Sequence, residues 1–389
     1  MAVLPQARFV GGAVRNTLLG KPVSEVDIAA PYEPGKVCDM LAAAGIKTVP
    51  TGIAHGTVTA VVDGTPFEVT SLRRDVETDG RRAVVAFTTD WTEDAQRRDF
   101  TMNALYAAPD GEVFDSVGGV SDLFAGKVRF VGDPVGRIRE DYLRILRLFR
   151  FHAWYGTGEL DAAALAAAAA EKAGLGKLSG ERIAKEMLKL LEAEDPMPCL
   201  SAMRDASILS EVLPGETRLK CLKELVKIDK AEGFVPDGLL RLAALLSAEG
   251  AAAVATAVSA RWKLSSAQRD RLQDICAAKG KIVPLLTTGD RDKLLYRLGV
   301  PRFKDRLFLA WAEHPRCAAH WWNFLAAAER WQQPHFPLTG AVVMEAGVPQ
   351  GPLVGRVLAE MEEWWIDNGF PQDEALLAER LKQAVQAIR

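Results

Sequence analysis

The chain has 389 residues, nearly half of them hydrophobic, which is enough for more than one buried core and too many for one ordinary domain. A formal net charge of −3 excludes a globally basic nucleic-acid binder, so any contact with RNA must run through local basic surfaces. No apolar run approaches the length of a membrane helix. The opening MAVLPQARFV lacks the pattern of a secretory signal, and five scattered cysteines in no CxxC spacing argue against a disulfide framework or a zinc site. A reducing cytoplasm is the expected compartment.

The first third alternates short β-branched runs with helical stretches. ARFVGG reads as a strand ending in a glycine turn, AVRNTLLG as a short helix and VDIAA as a buried strand. PGKVCDMLAAAG reads as a helix with Pro34 in its first turn and Gly45 at its end. TVTAVV and PFEVTSL flank Asp63-Gly64, a hairpin signal, and ALYAA and EVFDSV flank Pro109-Asp110-Gly111, a second one. Beyond about residue 133 the strand signals vanish and helices follow one another between short Gly, Pro and Ser turns. The fold class expected is α+β at the front and all-α behind. His55, in Thr51–Gly56, reads as a turn residue.

Several of these segments carry groups suited to chemistry. Val10-Gly11-Gly12-Ala13-Val14-Arg15 lets backbone amides approach an anion, with Arg15 adding charge. Glu25-Val26-Asp27 places two carboxylates two residues apart, on one face if the segment is a strand, and such a pair suits Mg²⁺. Glu68 can supply a third carboxylate if its strand neighbours VDIAA; the competing role is a salt bridge to Arg73 or Arg74. Arg97 to Asn103 reads as a helix on which Arg98 can bind phosphate and Asp99 or Asn103 a ribose hydroxyl.

EDYLRILRLFR is the most informative segment. Asp141, Arg144, Arg147 and Arg150 recur every three residues and form one stripe on a helix, while Leu143, Leu146 and Phe149 form another that faces a core. Three arginines in one stripe repel one another unless an anion sits there. Asp141 with Arg144 as an ordinary surface ion pair contributes only about 0.3–0.5 kcal/mol. As a recognition pair they do more. Asp only accepts hydrogen bonds and Arg only donates, so together they match the amino donor beside a ring acceptor that cytosine and adenine present and that uracil and guanine reverse.

In this order, Gly-Gly-x-x-Arg, paired acids, Glu68, Arg-Arg-Asp-Phe-Thr, Glu140-Asp141-x-x-Arg144 and Glu181-Arg182-Ile183-x-x-Glu186 resemble the class II tRNA nucleotidyltransferase and bacterial poly(A) polymerase family. The head of that family is DNA polymerase β-like. Phe336-Pro337-Leu338-Thr339-Gly340 and Gly351-Pro352-Leu353-Val354-Gly355 look like the tail of its CCA-adding branch. The resemblance implies a mixed-sheet catalytic head over residues 1–132, a helical neck over 133–195, a body over 196–280 and a tRNA-binding tail over 281–389. It implies that Gly12 and Arg15 contact the incoming nucleotide and that Glu25 and Asp27 bind magnesium, with Glu68 beside them in the catalytic set. It also implies that Arg98, Asp141, Arg144, Arg147 and Arg150 line the nucleotide pocket. The expected reaction is template-independent addition of C, C and A to tRNA from CTP and ATP with release of pyrophosphate. A relative that adds only A, a poly(A) polymerase and a non-catalytic RNA-binding relative are the alternatives. Two positions depart from the family pattern: Glu25 stands where Asp is usual, and Asn16 where Asp is common.

Overall fold

A computed structural model describes residues 1–53, 56–79, 82–246, 250–277 and 282–387, so His55 lies outside the described residues. The strands among them are β1 (Arg8–Val10), β2 (Asp27–Ala30), β3 (Lys47–Gly52), β4 (Thr57–Val62), β5 (Thr65–Ser71), β6 (Arg73–Asp79), β7 (Arg82–Phe87), β8 (Tyr106–Ala107) and β9 (Val113–Phe114). Seven form one sheet in the order β3-β4-β5-β2-β1-β8-β9, and β6 pairs with β7 apart from it. Within the sheet β2 and β5 run parallel and the other neighbours antiparallel, so the sheet is mixed, as expected. The Asp63-Gly64 hairpin forms between β4 and β5, with positive φ at both turn residues, as a two-residue primed turn requires.

Helices α1 (Gly12–Leu18), α2 (Pro34–Ala43), α3 (Trp91–Gln96) and α4 (Gly119–Phe124) accompany the strands. Side chains alternate across the sheet and give it two buried faces. On one, Ile28, Ala30, Val58, Ala60 and Val69 pack with Val37 and Leu41 of α2. On the other, Val10, Ala29 and Tyr106 pack with Leu72, Ala95, Ala104 and Val131. Each large apolar side chain removed from water in this way stabilises the head by about 1.5–3 kcal/mol. Asp27, two residues before Ala29, shares the second face but stands at the exposed start of β2.

Two expectations need correction here. Residues 97–103 are not one helix: α3 ends at Gln96, Phe100 is extended and bridges Phe130, and only Thr101–Asn103 form a single 3-10 turn. Glu25 precedes β2 rather than lying on it, so strand alternation does not fix its direction.

The rest is helical: α5 (Pro134–Glu140), α6 (Leu143–Tyr155), α7 (Ala162–Glu171), α8 (Gly180–Leu191), α9 (Met197–Asp205) and α10 (Leu209–Val212), then α11 (Leu219–Glu232), α12 (Gly238–Leu246), α13 (Ala251–Trp262), α14 (Ser266–Cys276), α15 (Thr288–Glu313), α16 (Ala318–Glu329), α17 (Gly340–Glu345), α18 (Pro352–Asp367) and α19 (Glu374–Gln386). The chain divides into two compact units. One comprises Met1–Gly215 with Pro236–Gly238 and Ala257–Leu264, and the other comprises Glu216–Val235, Leu239–Thr256 and Ser265–Arg389. In the second unit a buried Arg241–Asp229 pair lies at 2.9 Å. There the two tail motifs read as helix starts: Thr339 is the N-cap of α17, and Gly351-Pro352 opens α18.

The EDYLRILRLFR stripe is interrupted. α5 stops at Glu140, Asp141 is extended (φ −155°, ψ 105°) and α6 begins at Leu143. The break is held by Tyr142, whose ring rests on Gly174; a Cβ there would come within 2.0 Å of the ring. The Lys177 ammonium lies over the same ring, 5.2 Å from its centre. Gly174→Ala is therefore expected to lower stability by about 1–3 kcal/mol, read by urea denaturation. An unchanged midpoint would show that Tyr142 is not wedged there.

Candidate active site

The site is built on the first unit. Asp27 of β2 is directly in register with Glu68 of parallel β5, and on its other side with Val10 of β1. Residues paired across neighbouring strands point to one side, about 5 Å apart, so Asp27 and Glu68 stand together at the exposed edge of the second sheet face. Burial against the sheet and then the nearby charge of Glu25 raise the Asp27 carboxyl above its ordinary value, while Arg98 pulls it down. Glu25 and Arg98 therefore both lie within electrostatic reach of Asp27. Among the described residues no three His, Cys, Asp or Glu side chains form a closed metal-binding cluster. What the edge offers is carboxylate oxygens on an open surface. That donor set fits Mg²⁺, which keeps several positions for water and substrate phosphate.

The glycine turn lies at the end of β1. Gly11 adopts φ +67°, a conformation that favours glycine, and its N–H is donated to the Leu105 carbonyl at 3.0 Å. That leaves Gly12, not Gly11, as the turn's amide for a ligand. Arg15 does not project outward as a loose charge. It is buried, and it donates to Asn103, to Asn16 at 3.1 Å and to the Tyr155 hydroxyl at 2.9 Å, with its guanidinium 4.1 Å from the centre of the Tyr155 ring. Burial lowers its pKa against the raising effect of Tyr155. Asn16 accepts from Arg15 and from Tyr155, which ties α1 to α6, and donates to the Pro22 carbonyl at 2.8 Å, a bond an ionised Asp could not make.

Arg98 lies against Gly11, its Nη1 3.7 Å from where a Cβ would stand. Asp94, almost fully buried, holds it at 3.0 Å, and the Tyr106 hydroxyl bridges the pair. Burial opposes the charge on Asp94, but Arg98 and Arg97 outweigh it and keep its carboxyl below the usual value. Arg137 of α5 donates to the Arg97 and Arg98 carbonyls, the latter at 2.7 Å, and so fixes this strip to the start of the helical region.

Asp141 and Arg144 do not form an ordinary ion pair with each other. Arg144 binds Glu140 at 2.6 Å and the Arg137 carbonyl at 2.8 Å. Asp141 accepts from the Leu143 N–H at 3.1 Å and from Arg182 at 2.6 Å. The other arginines are likewise met by protein carboxylates: Arg147 by Asp99 at 2.5 Å and Glu186 at 3.7 Å, and Arg150 by Glu186 at 2.5 Å. Asp99 also accepts from Asn103 and from the Phe100 N–H. Burial pushes the Asp99 carboxyl up, but Arg147 and these hydrogen bonds prevail and hold it at about 2. Asp99 and Asn103, expected as ribose contacts, thus have internal partners. Glu140, Arg182 and Glu186 were absent from the expected site although their motifs were visible. Asn16 and Tyr155 had no sequence signal beyond their neighbourhood.

Comparison with known proteins agrees with this architecture. Residues 7–129 match the family described as "Poly A polymerase head domain", and residues 159–218 match "Probable RNA and SrmB- binding site of polymerase A". The mouse (Mus musculus) protein "CCA tRNA nucleotidyltransferase 1, mitochondrial" is 34% identical over 97% of this chain and 87% of its own length. The chain belongs to the CCA-adding tRNA nucleotidyltransferase family. A "CCA-adding enzyme" of Limosilactobacillus fermentum is 31% identical over 98% of this chain and 94% of its own. The crystal structure of the Bacillus stearothermophilus CCA-adding enzyme in complex with CTP superposes with a TM-score of 0.78 at 27% identity, covering 99% of this chain and 98% of that one. The polymerase-type head with its mixed sheet and long helical continuation is thus the fold of the CCA-adding family. Among the described residues no helix is long and apolar enough to cross a membrane.

Proposed function

We propose that this protein adds C, C and A to the 3′ end of tRNA from CTP and ATP, releasing pyrophosphate. Its membership of the CCA-adding family carries the reading, and the Asp27–Glu68 edge beside Arg98 and the glycine turn supports it. Asp27 with Glu25 would hold magnesium, with Glu68 alongside. Magnesium, when bound, supplies charge neutralisation for the triphosphate and lowers the pKa of the attacking hydroxyl.

The protein's own groups do the rest. Gly12 and Arg98 receive the phosphates of the incoming nucleotide, and Arg15 shapes the turn from behind. Asp141 and Arg144 read the base, accepting from the amino group and donating to the ring acceptor that C and A share. To do so Arg144 must exchange its contact with Glu140 for the nucleotide. Arg147 and Arg150 keep the reading helix in place through Asp99 and Glu186. The division into head, neck, body and tail, with the tail gripping tRNA, belongs to the same proposal. So does a cytoplasmic location, which suits cysteines that are all unpaired.

The test supplies tRNA transcripts ending before the CCA, after the first C and after CC, each with labelled CTP or ATP and Mg²⁺. Incorporation of C onto the first two and of A onto the third is expected. Incorporation of A alone onto the CC-ended transcript would reduce the activity to A addition, and none onto any transcript would overturn it.

A further inference from the structure

We propose that Arg182 is a specificity-determining residue: through its bond to Asp141 it fixes the carboxylate that distinguishes C and A from U and G. The proposal rests on the reading of Asp141 and Arg144 as the base-recognising pair. Three observations carry it. Asp141 lies outside regular helix, in the extended link between α5 and α6, so helical geometry does not set its side chain. Its backbone is immobilised by Tyr142 packed on Gly174. Its carboxylate then has two tethers: the Leu143 N–H at 3.1 Å on Oδ1 and Arg182 Nη2 at 2.6 Å on Oδ2.

A carboxylate oxygen has two lone-pair sites. Each Asp141 oxygen is therefore turned to a protein donor while keeping acceptor capacity for a base amino group. The first tether is local and comes with the α6 start. The second comes from α8, 41 residues on, and is the one that sets rotation of the carboxylate. The same helix presents Glu186 one turn later, on the same face, to Arg150 and Arg147. α8 thus meets the acceptor of the reading segment with a donor and its donors with an acceptor. Arg182 acts through Asp141 and does not itself touch the base.

Loss of the tether frees the carboxylate to rotate, so the wrong base edges are rejected less well while phosphate and metal contacts persist. For Arg182→Ala in the full-length protein, kcat/KM for CTP and ATP relative to UTP and GTP is expected to fall by roughly 10–100-fold. Arg182→Lys should restore most of the selectivity. Arg182→Ala combined with Asp141→Asn should be no less selective than Asp141→Asn alone. Thermal unfolding of each variant reports folding, because a merely structural role would lower addition of all four nucleotides by one factor. Such a uniform loss, or unchanged selectivity in Arg182→Ala beside relaxed selectivity in Asp141→Asn, would overturn the role of Arg182 alone. Unchanged selectivity in Asp141→Asn would instead overturn the base-reading pair, and this proposal with it.

Discussion

Asp27→Ala is expected to reduce nucleotide addition by about 10³-fold or more while leaving tRNA affinity within a few-fold of the wild type. Asp27 is the carboxylate that the fold itself places. It opens β2, is paired in register on both sides and stands at the edge where the sheet's second core gives out. Removing it deletes the carboxylate proposed to hold magnesium from a rigid position and leaves Arg98 beside a surface with less negative charge. Glu25 occupies the non-regular segment before the strand. Its backbone is less constrained and its side chain one methylene longer, so Glu25→Ala is expected to cost about tenfold, less than Asp27→Ala. Single-turnover addition of labelled CTP measures the first effect, and a filter-binding titration with tRNA measures the second. Equal losses at the two positions would contradict the lesser role given to Glu25, and normal turnover in Asp27→Ala would mean that the metal is held elsewhere.

Asp99→Ala should be the most destabilising single change near the site, at about 3–5 kcal/mol. Asp99 joins three elements: it binds Arg147 of α6, accepts from Asn103 of the 3-10 turn, and through Asn103 reaches Arg15 of α1. Its removal leaves Arg147 to Glu186, 3.7 Å away, and leaves the Phe100 N–H without its acceptor. The pH dependence has a definite sign. The folded-state carboxyl is held at about 2, below its unfolded value of 3.8. Its contribution is therefore complete above about pH 4 and is lost as pH falls towards 2. Urea denaturation between pH 6 and 2.5 should show a steeper acid loss in the wild type than in Asp99→Asn. Parallel curves would place the acid sensitivity in other carboxylates.

How much of this was legible in the sequence depended on whether the governing contacts were local. The Asp63-Gly64 turn, Pro34 at the start of α2 and Gly45 at its end answer to dihedral preferences of single residues, and they stand where the pattern put them. β3 was missed because Pro50 interrupts its alternation; it is tolerated on an edge strand. The β6–β7 hairpin was missed because its first strand, RRDVETD, is mostly charged and reads as loop. In the site, the charged residues were legible and their partners were not. A three-residue spacing suggested that Asp141 faces Arg144, but the extended backbone at Asp141 depends on Tyr142 meeting Gly174, a tertiary contact with no local signature. The arginine stripe called for an anion, and much of that charge comes from Asp99 and Glu186, distant in sequence, with Glu140 meeting Arg144 from the preceding turn. Glu68 could reach Asp27 only if β5 lay beside β2, and the sheet order places them side by side with the two residues in register.

In the proposed function a protein surface, not a nucleic-acid template, chooses C, C and then A. The most direct measurement offers a tRNA transcript lacking its CCA end to the full-length protein with Mg²⁺ and all four nucleoside triphosphates in equal amounts, and sequences the 3′ ends produced. The account predicts ends of CCA with addition stopping there, and U and G at most at trace level. A run of A residues, or ends of mixed composition from the unmodified protein, would contradict it.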